Sequence, residues 1–564
     1  MKKSVTIAEG QDGEKKGLGL LRRIPSTLEL RLEAIAKPTD ADDVLFDMLS
    51  EDGRNVSLRR FWGAINTTGI QESDPRLKEM RQHFMEKQIE MGYSADAEAD
   101  IKLDKDTFSN CIMDNITMLL KIFKKDLIIP EFAEFTDVID NIFDKVKDIK
   151  EGKNSSFIPI LKNADPNKWA VSICTIDGQM HSLGDYTSRF TMQELCKPFN
   201  YAKAASERPK DVHKYVGQEP SGRGSNALSL DTKHRPHNPM INTGGIIVSS
   251  MLSEGKQTAD RFDDIYDAYK MAAGANQGEM YVGFNNPAYL SARQKADRDY
   301  ALAYFMRENG CFPEKVKRDL EKNVEFYLQL CSTEVTTESA SVMAATLANG
   351  GYCPITGYRV FQSEAVRNTL SLMYACGMYD HSGQFSFEVG LPAKSGKSGA
   401  VMLVIPNVMG ICIWSPPVDD MNNSVKGVKF YEALVDHFNF HNYDNLKHHS
   451  NQKADPREKK TRKTKHSLKK YIVHILFGAA DGDMNTLRRF ILEGMDMNQA
   501  DYDGRTALHL AAAHGHLDVV KLLLEKCKVN PSPRDRWNGT PMDDAKKYGK
   551  QNVLEYLQKY QKAA

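Results

Sequence analysis

At 564 residues the chain is long enough for two to four domains. Its 75 basic and 75 acidic residues cancel, which removes any global electrostatic case for nucleic acid or a membrane surface as a partner. Nine cysteines without a Cys-x-x-Cys pair argue against a disulfide framework or a zinc knuckle, and no uninterrupted apolar run approaches the roughly 18 residues needed to span a bilayer.

Taken in chain order, residues 1–40 carry Lys2, Lys3, Lys15, Lys16, Arg22 and Arg23, interrupted by Glu9, Asp12 and Glu14. Organelle transit peptides are acid-poor and amphipathic, so this start is expected to be a disordered polar tail. Residues 41–145 space their apolar positions helically, as in Val44, Leu45, Phe46, Met48 and Leu49 and again in Cys111, Ile112, Ile116, Leu119, Leu120, Ile122 and Phe123. That spacing predicts a small all-α domain. Glu51-Asp52-Gly53 and Leu103-Asp104-Lys105-Asp106-Thr107-Phe108 resemble helix-loop-helix calcium units. Neither has oxygen ligands at alternating loop positions or a closing glutamate, so an EF-hand-like domain without calcium ligands is expected.

Residues 146–450 change texture. A strand is predicted over 169–176, turned at Asp177-Gly178-Gln179, and two more at 401–405 and 410–414, joined through Pro406-Asn407. Together with the helical stretches between them they predict an α/β domain with a central sheet. Residues 451–470 are rich in Lys and Arg and read as a solvated basic linker, ahead of a localisation signal or a patch for acidic partners. In 471–564, Gly482, Gly515 and Gly549 recur at intervals of 33 and 34 residues, and Thr506-Ala507-Leu508-His509-Leu510-Ala511 is answered by Thr540-Pro541-Met542-Asp543-Asp544-Ala545. This is the ankyrin period, whose units contact proteins or cap an array.

The chemistry-bearing residues lie in the middle. Gln193-Glu194-Leu195-Cys196-Lys197-Pro198 comes first, then Tyr327, then Tyr379, and last Lys394-Ser395-Gly396 leading into the 401–405 strand. The order is that of the serine β-lactamase-like fold, in which a Ser-x-x-Lys helix start faces a Lys-Ser/Thr-Gly strand. A serine hydroxyl needs a neutral amine to take its proton, and the helix start supplies N–H groups for the oxyanion. Here Glu194 stands three residues before Lys197, where the serine would be. A carboxylate one turn from an amine predicts an ion pair that raises the Lys197 pKa and keeps it protonated. Cys196, next to Lys197, belongs to another side of the helix.

Several long stretches resemble the glutaminase family: Ser73-Asp74-Pro75-Arg76-Leu77-Lys78, Pro236-His237-Asn238-Pro239-Met240-Ile241-Asn242, Glu338-Ser339-Ala340-Ser341-Val342-Met343, Gly390-Leu391-Pro392-Ala393-Lys394-Ser395-Gly396 and Trp414-Ser415-Pro416-Pro417. With the helical and ankyrin portions, the likeness is to the long kidney- or liver-type animal form. The resemblance implies hydrolysis of L-glutamine to glutamate and ammonia through an acyl-enzyme, with no cofactor and no metal. It further implies assembly as a homotetramer, phosphate activation and a mitochondrial location, the start of the chain leaving a cytoplasmic one open. Carried over position by position, Gln193 flanks the nucleophile and binds substrate, Lys197 is the base, Asn242 contacts substrate, and Tyr327 and Tyr379 relay protons and hold the ligand.

Five departures fall in that same implied site. Glu194 replaces the serine, Phe157 a tyrosine, Ala292 a substrate-binding glutamate, Asp299 a substrate-contacting asparagine, and Lys397 a small apolar residue whose N–H serves the oxyanion. The expectation is a glutaminase-family protein impaired in catalysis, which binds glutamine or glutamate weakly if at all. Its partners would be its own copies, glutaminase paralogues and a protein at the ankyrin repeats. An active enzyme with an unusual nucleophile or a changed substrate is the alternative.

Overall fold

The computed structural model describes residues 41–563, except 51, 94–100, 223–226, 279, 315–318, 445–452, 459–464 and 493–495. The expected tail, 1–40, therefore lies outside the described residues. Two compact units divide between Lys459 and Lys460.

The first unit opens with helices Ala41–Leu49, Leu58–Asn66, Lys78–Glu90, Lys105–Ile112 and Ile116–Phe123. They enclose an apolar cluster in which Phe61 meets Trp62, Phe84 and Phe108 edge-on at 5.2–5.5 Å. This region is not all helical, as the periodicity predicts: Asn55–Ser57 pairs antiparallel with Lys102–Asp104. Each strand is three residues long and runs straight into a helix cap, Ser57 or Asp104, so neither leaves an alternating pattern to read. The Asp52 carboxylate is engaged by its own turn, accepting from the Arg54 and Asn55 N–H groups at 2.8 Å.

The sheet of the larger region comprises β1 (Ala170–Thr175), β2 (Met180–Gly184), β3 (Ala393–Ser395), β4 (Ala400–Ile405) and β5 (Met409–Trp414). All neighbours are antiparallel, in the order β2-β1-β5-β4-β3. The helices that matter for the site are α1 (Phe132–Lys147), α2 (Cys196–Glu207), α3 (Asn242–Met251), α4 (Asp297–Glu308), α5 (Leu320–Cys331), α6 (Thr337–Ala348), α7 (Ser363–Cys376) and α8 (Val425–His437). α1 and α8 cover one face of the sheet and α6 the other. Coverage on both faces leaves every residue of β1, β4 and β5 buried, which is why they read as continuous apolar runs. By its packing α1 belongs with the sheet, Phe143 stacking on Trp169 at 5.2 Å, although its spacing continues that of the N-terminal helices. Beyond α6, helices α2 to α5 and α7 share one apolar cluster.

α6 lies so close to β5 that a Cβ on Gly410 would fall 2.2 Å from the Ala345 nitrogen. Gly410→Ala forces backbone apart from backbone and is expected to destabilise the unit by about 2–3 kcal/mol, read as a lower urea midpoint at unchanged slope.

Part of the basic linker is docked. The Ala454 N–H donates to the His437 carbonyl at 2.9 Å, the Asn439 N–H to the Ala454 carbonyl at 3.0 Å, and Lys453 pairs with Asp444 at 3.2 Å. Asp444 and Asp455 neutralise charge locally, which the expectation of a self-repelling run leaves out.

The second unit contains Lys465–Asp481, Met484–Leu492, Ala507–His514, Leu517–Lys521, Pro541–Lys547 and Gln551–Ala563. Gly482, Gly515 and Gly549 all adopt positive φ, 73°, 87° and 65°, which accounts for their recurrence. The Thr506 N–H donates to His509 Nδ1 at 3.1 Å, leaving Nε2–H to donate to the Gly539 carbonyl of the next repeat at 3.2 Å. The Thr-x-Leu-His wording is thus a cap and an inter-repeat tie in one.

Candidate active site

Residues Gln193–Leu195 form one 3₁₀ turn that feeds α2, and Gln193 enters it at φ 47°, a sharp bend for a residue with a Cβ. The bend presents Glu194, 5% exposed, to the end of β3. There Glu194 Oε2 accepts the Lys397 backbone N–H at 3.0 Å, and Lys397 Nζ lies 3.4 Å from Oε1. The Lys397 ammonium also sits 4.6 Å above the Phe157 ring, a cation–π contact. Burial raises the Glu194 pKa, but Lys397, then Lys197 and Lys394, overcome it and hold the carboxyl at about 2. Glu194 is an anion at neutral pH.

The ion pair expected between Glu194 and Lys197 is made with Lys397 instead. Lys197 Nζ donates to Asn242 Oδ1 at 2.7 Å and to the Met240 carbonyl at 3.2 Å. Its pKa is lowered rather than raised, because desolvation of an amine only 1% exposed outweighs the pull of Glu194. The helical spacing correctly puts the two residues one turn apart. Tertiary structure supplies Glu194 with a partner offering both an ammonium and an N–H.

A hydrogen-bonded chain runs through three helix starts and faces. Asn242, first residue of α3, accepts from Lys197 and from the Tyr327 hydroxyl of α5 at 3.2 Å, and donates from Nδ2 to Asp299 Oδ1 of α4 at 3.3 Å. These contacts orient the Asn242 amide unambiguously. Burial raises the Asp299 pKa, with Lys397 and Lys197 opposing it. Gln193 Nε2 donates to Thr191 Oγ1 at 3.0 Å. Ala292, on helix Asn286–Gln294, is buried in the apolar cluster and brings no polar group.

Tyr379 holds φ 53°, and its buried hydroxyl lies beside the Glu194 carboxylate. Burial, then the adjacent Glu194 carboxylate, push its pKa well above the ordinary phenol value. Lys394 Nζ lies 4.6 Å over the Tyr379 ring and donates to the Gly377 carbonyl at 3.1 Å. Burial and Lys197 push the Lys394 pKa down to about 7. Lys394, which the Lys-Ser-Gly wording marks, is a pocket residue to which the family resemblance assigns no role above. Cys196 faces the core, its Sγ 3.8 Å from Cys331 Sγ, and is turned away as a nucleophile.

The arrangement retains a buried amine of lowered pKa in contact with an oriented amide and a phenol. Opposite that amine stands an ionised carboxylate already bound to a lysine, where acyl transfer needs a hydroxyl.

The family model for glutaminase matches residues 152–443, that for an EF-hand domain residues 41–130, and that for ankyrin repeats residues 475–563. The rat glutaminase liver isoform, mitochondrial, is 47% identical over 519 residues, covering 92% of this chain and 83% of its own. Putative glutaminase 2 of Caenorhabditis elegans is 44% identical over 547 residues, covering 95% and 89%. Among solved structures, a probable glutaminase superposes with a TM-score of 0.52 at 29% identity, covering 55% of this chain and 98% of its own. The Mglu crystal structure in its glutamate form superposes with a TM-score of 0.51 at 33% identity, covering 55% and 70%. With the site described, the family match over more than half its length and these relatives, this chain belongs to the glutaminase family.

Proposed function

We propose that this chain is a glutaminase-fold protein that has lost the hydrolytic step and acts through binding and assembly. The observation that carries the reading is the Glu194–Lys397 pair. One carboxylate fills the nucleophile position and engages the ammonium and the backbone N–H of Lys397, the N–H that the family resemblance assigns to the oxyanion. A neutral amide entering here meets no serine hydroxyl to attack it, and the Lys397 N–H is already taken by Glu194 and not free for a tetrahedral intermediate. Loss of the nucleophile alone removes about a million-fold of rate in enzymes that use one.

The intact sheet and helical layer support retention of the family's assembly, as a homotetramer or beside catalytically intact paralogues, since a packed scaffold persists whatever happens to the chemistry in its site. The ankyrin unit supports contact with a further protein. The mitochondrial relatives support the same compartment for this chain.

The test is ammonia release from L-glutamine by the purified full chain beside an active glutaminase. A rate at least about 10⁵-fold lower is expected. Turnover within about a hundredfold of the active enzyme sinks the proposal and favours a water-based or alternative nucleophile.

A further inference from the structure

A cleft of about 410 Å³ opens away from the residues of the candidate active site, between the loop carrying Pro75 and the edge of the sheet region. Its volume lies in the range of small-molecule sites, and a junction between structural regions is a preferred place for one. Two full charges of opposite sign face it without an ionic partner among the described residues. Arg189 is exposed, and its guanidinium carbon lies 4.0 Å from the Tyr281 ring centroid, a cation–π contact. Glu338 is half-buried, and its Oε1 accepts only the Ser182 hydroxyl at 3.1 Å. The third charge lining the cleft, Asp74, is already held by Arg76 through a 2.6 Å ion pair and the Arg76 N–H.

Register brings the two unpaired charges together. Phe190 pairs with Val335, which sets Arg189 alongside Thr336, two residues before Glu338. Pro75, Met180, Met280 and Ile355 supply apolar wall around them. Two opposite charges lining one small cleft, neither with an ionic partner among the described residues, match a molecule carrying an ammonium and a carboxylate on one carbon.

We propose that this cleft binds a free α-amino acid with an apolar side chain. Arg189 takes its carboxylate in a charge-assisted pair, Glu338 takes its ammonium, and the side chain lies against Met180, Met280 and Ile355. Burial raises the Glu338 pKa, and an ammonium at this position relieves that. The site shares no residue with the Glu194 pocket and stands whether or not that pocket turns over substrate.

The experiment is isothermal titration calorimetry of the full chain with L-leucine, beside 4-methylpentanoate, which lacks the ammonium, and 3-methylbutylamine, which lacks the carboxylate. L-Leucine is expected to bind, each analogue about tenfold or more weaker, and Arg189→Gln and Glu338→Gln to weaken L-leucine by about tenfold or more. Glu194→Gln/Lys397→Met should bind it as the parent does. Absence of heat up to about 20 mM L-leucine, equal binding of an analogue, or unchanged affinity in Arg189→Gln overturns the proposal. So does loss of binding in the Glu194/Lys397 variant, which would place the ligand in the other pocket. If Glu338→Gln loses its native circular dichroism, the exposed Arg189 decides.

Discussion

Changing Phe157→Tyr, Glu194→Ser, Ala292→Glu, Asp299→Asn and Lys397→Val together is expected to raise ammonia release from glutamine at least about 1,000-fold above the parent chain. Lys197, the base that the family resemblance implies, has a lowered pKa and is held 2.7 Å from Asn242, which in turn holds Tyr327. What is missing is a hydroxyl beside that amine and a vacant N–H at position 397. Glu194→Ser alone supplies the hydroxyl but strands the Lys397 ammonium, 14% exposed, with its carboxylate gone. The single variant is therefore expected to stay inactive and to unfold at lower denaturant. A five-residue variant with native circular dichroism that releases ammonia no faster than the parent would overturn the proposed role of these positions.

The second large effect is on stability. Lys397→Met leaves the Glu194 carboxylate buried without its counter-ion and is expected to destabilise the first unit by about 3–5 kcal/mol. Glu194→Gln/Lys397→Met removes both charges and should recover most of that loss, because a buried ion pair gains little over a neutral pair of similar shape. Chemical denaturation of the four proteins of the cycle gives the coupling directly. Acid supplies an independent check. The folded pKa of Glu194 is about 2, below its ordinary 4.5, so the folded state binds fewer protons than the unfolded state between those values. The pair's contribution is complete above pH 4.5 and is lost as pH falls toward about 2, amounting to about 3 kcal/mol. The stability gap between the parent and the doubly neutral variant should shift against the parent across that window. A gap that does not move with pH would mean that Glu194 titrates normally.

Sequence alone determined the elements whose signals are local. Continuous apolar runs marked β1, β4 and β5, and the recurrence of Gly482, Gly515 and Gly549 marked the ankyrin unit, because covered strands and stacked repeats impose patterns that near neighbours share. Sequence also placed a carboxylate where the resemblance implies a nucleophile. It left β2 unmarked beyond its turn, since that strand is only partly covered and carries no apolar run.

What only the tertiary structure decided is who meets whom. Glu194 lies 203 residues from the lysine that binds it, and one turn from the lysine expected to do so. Helical spacing sets which residues share a face, but not how deeply that face is buried. Here burial lowers the Lys197 pKa that proximity to an anion would have raised. The fold also set Lys394, which its Lys-Ser-Gly wording marks, over the Tyr379 ring, and brought Arg189 and Glu338 to one cleft, a pairing that depends on strand register and leaves no trace in any local pattern.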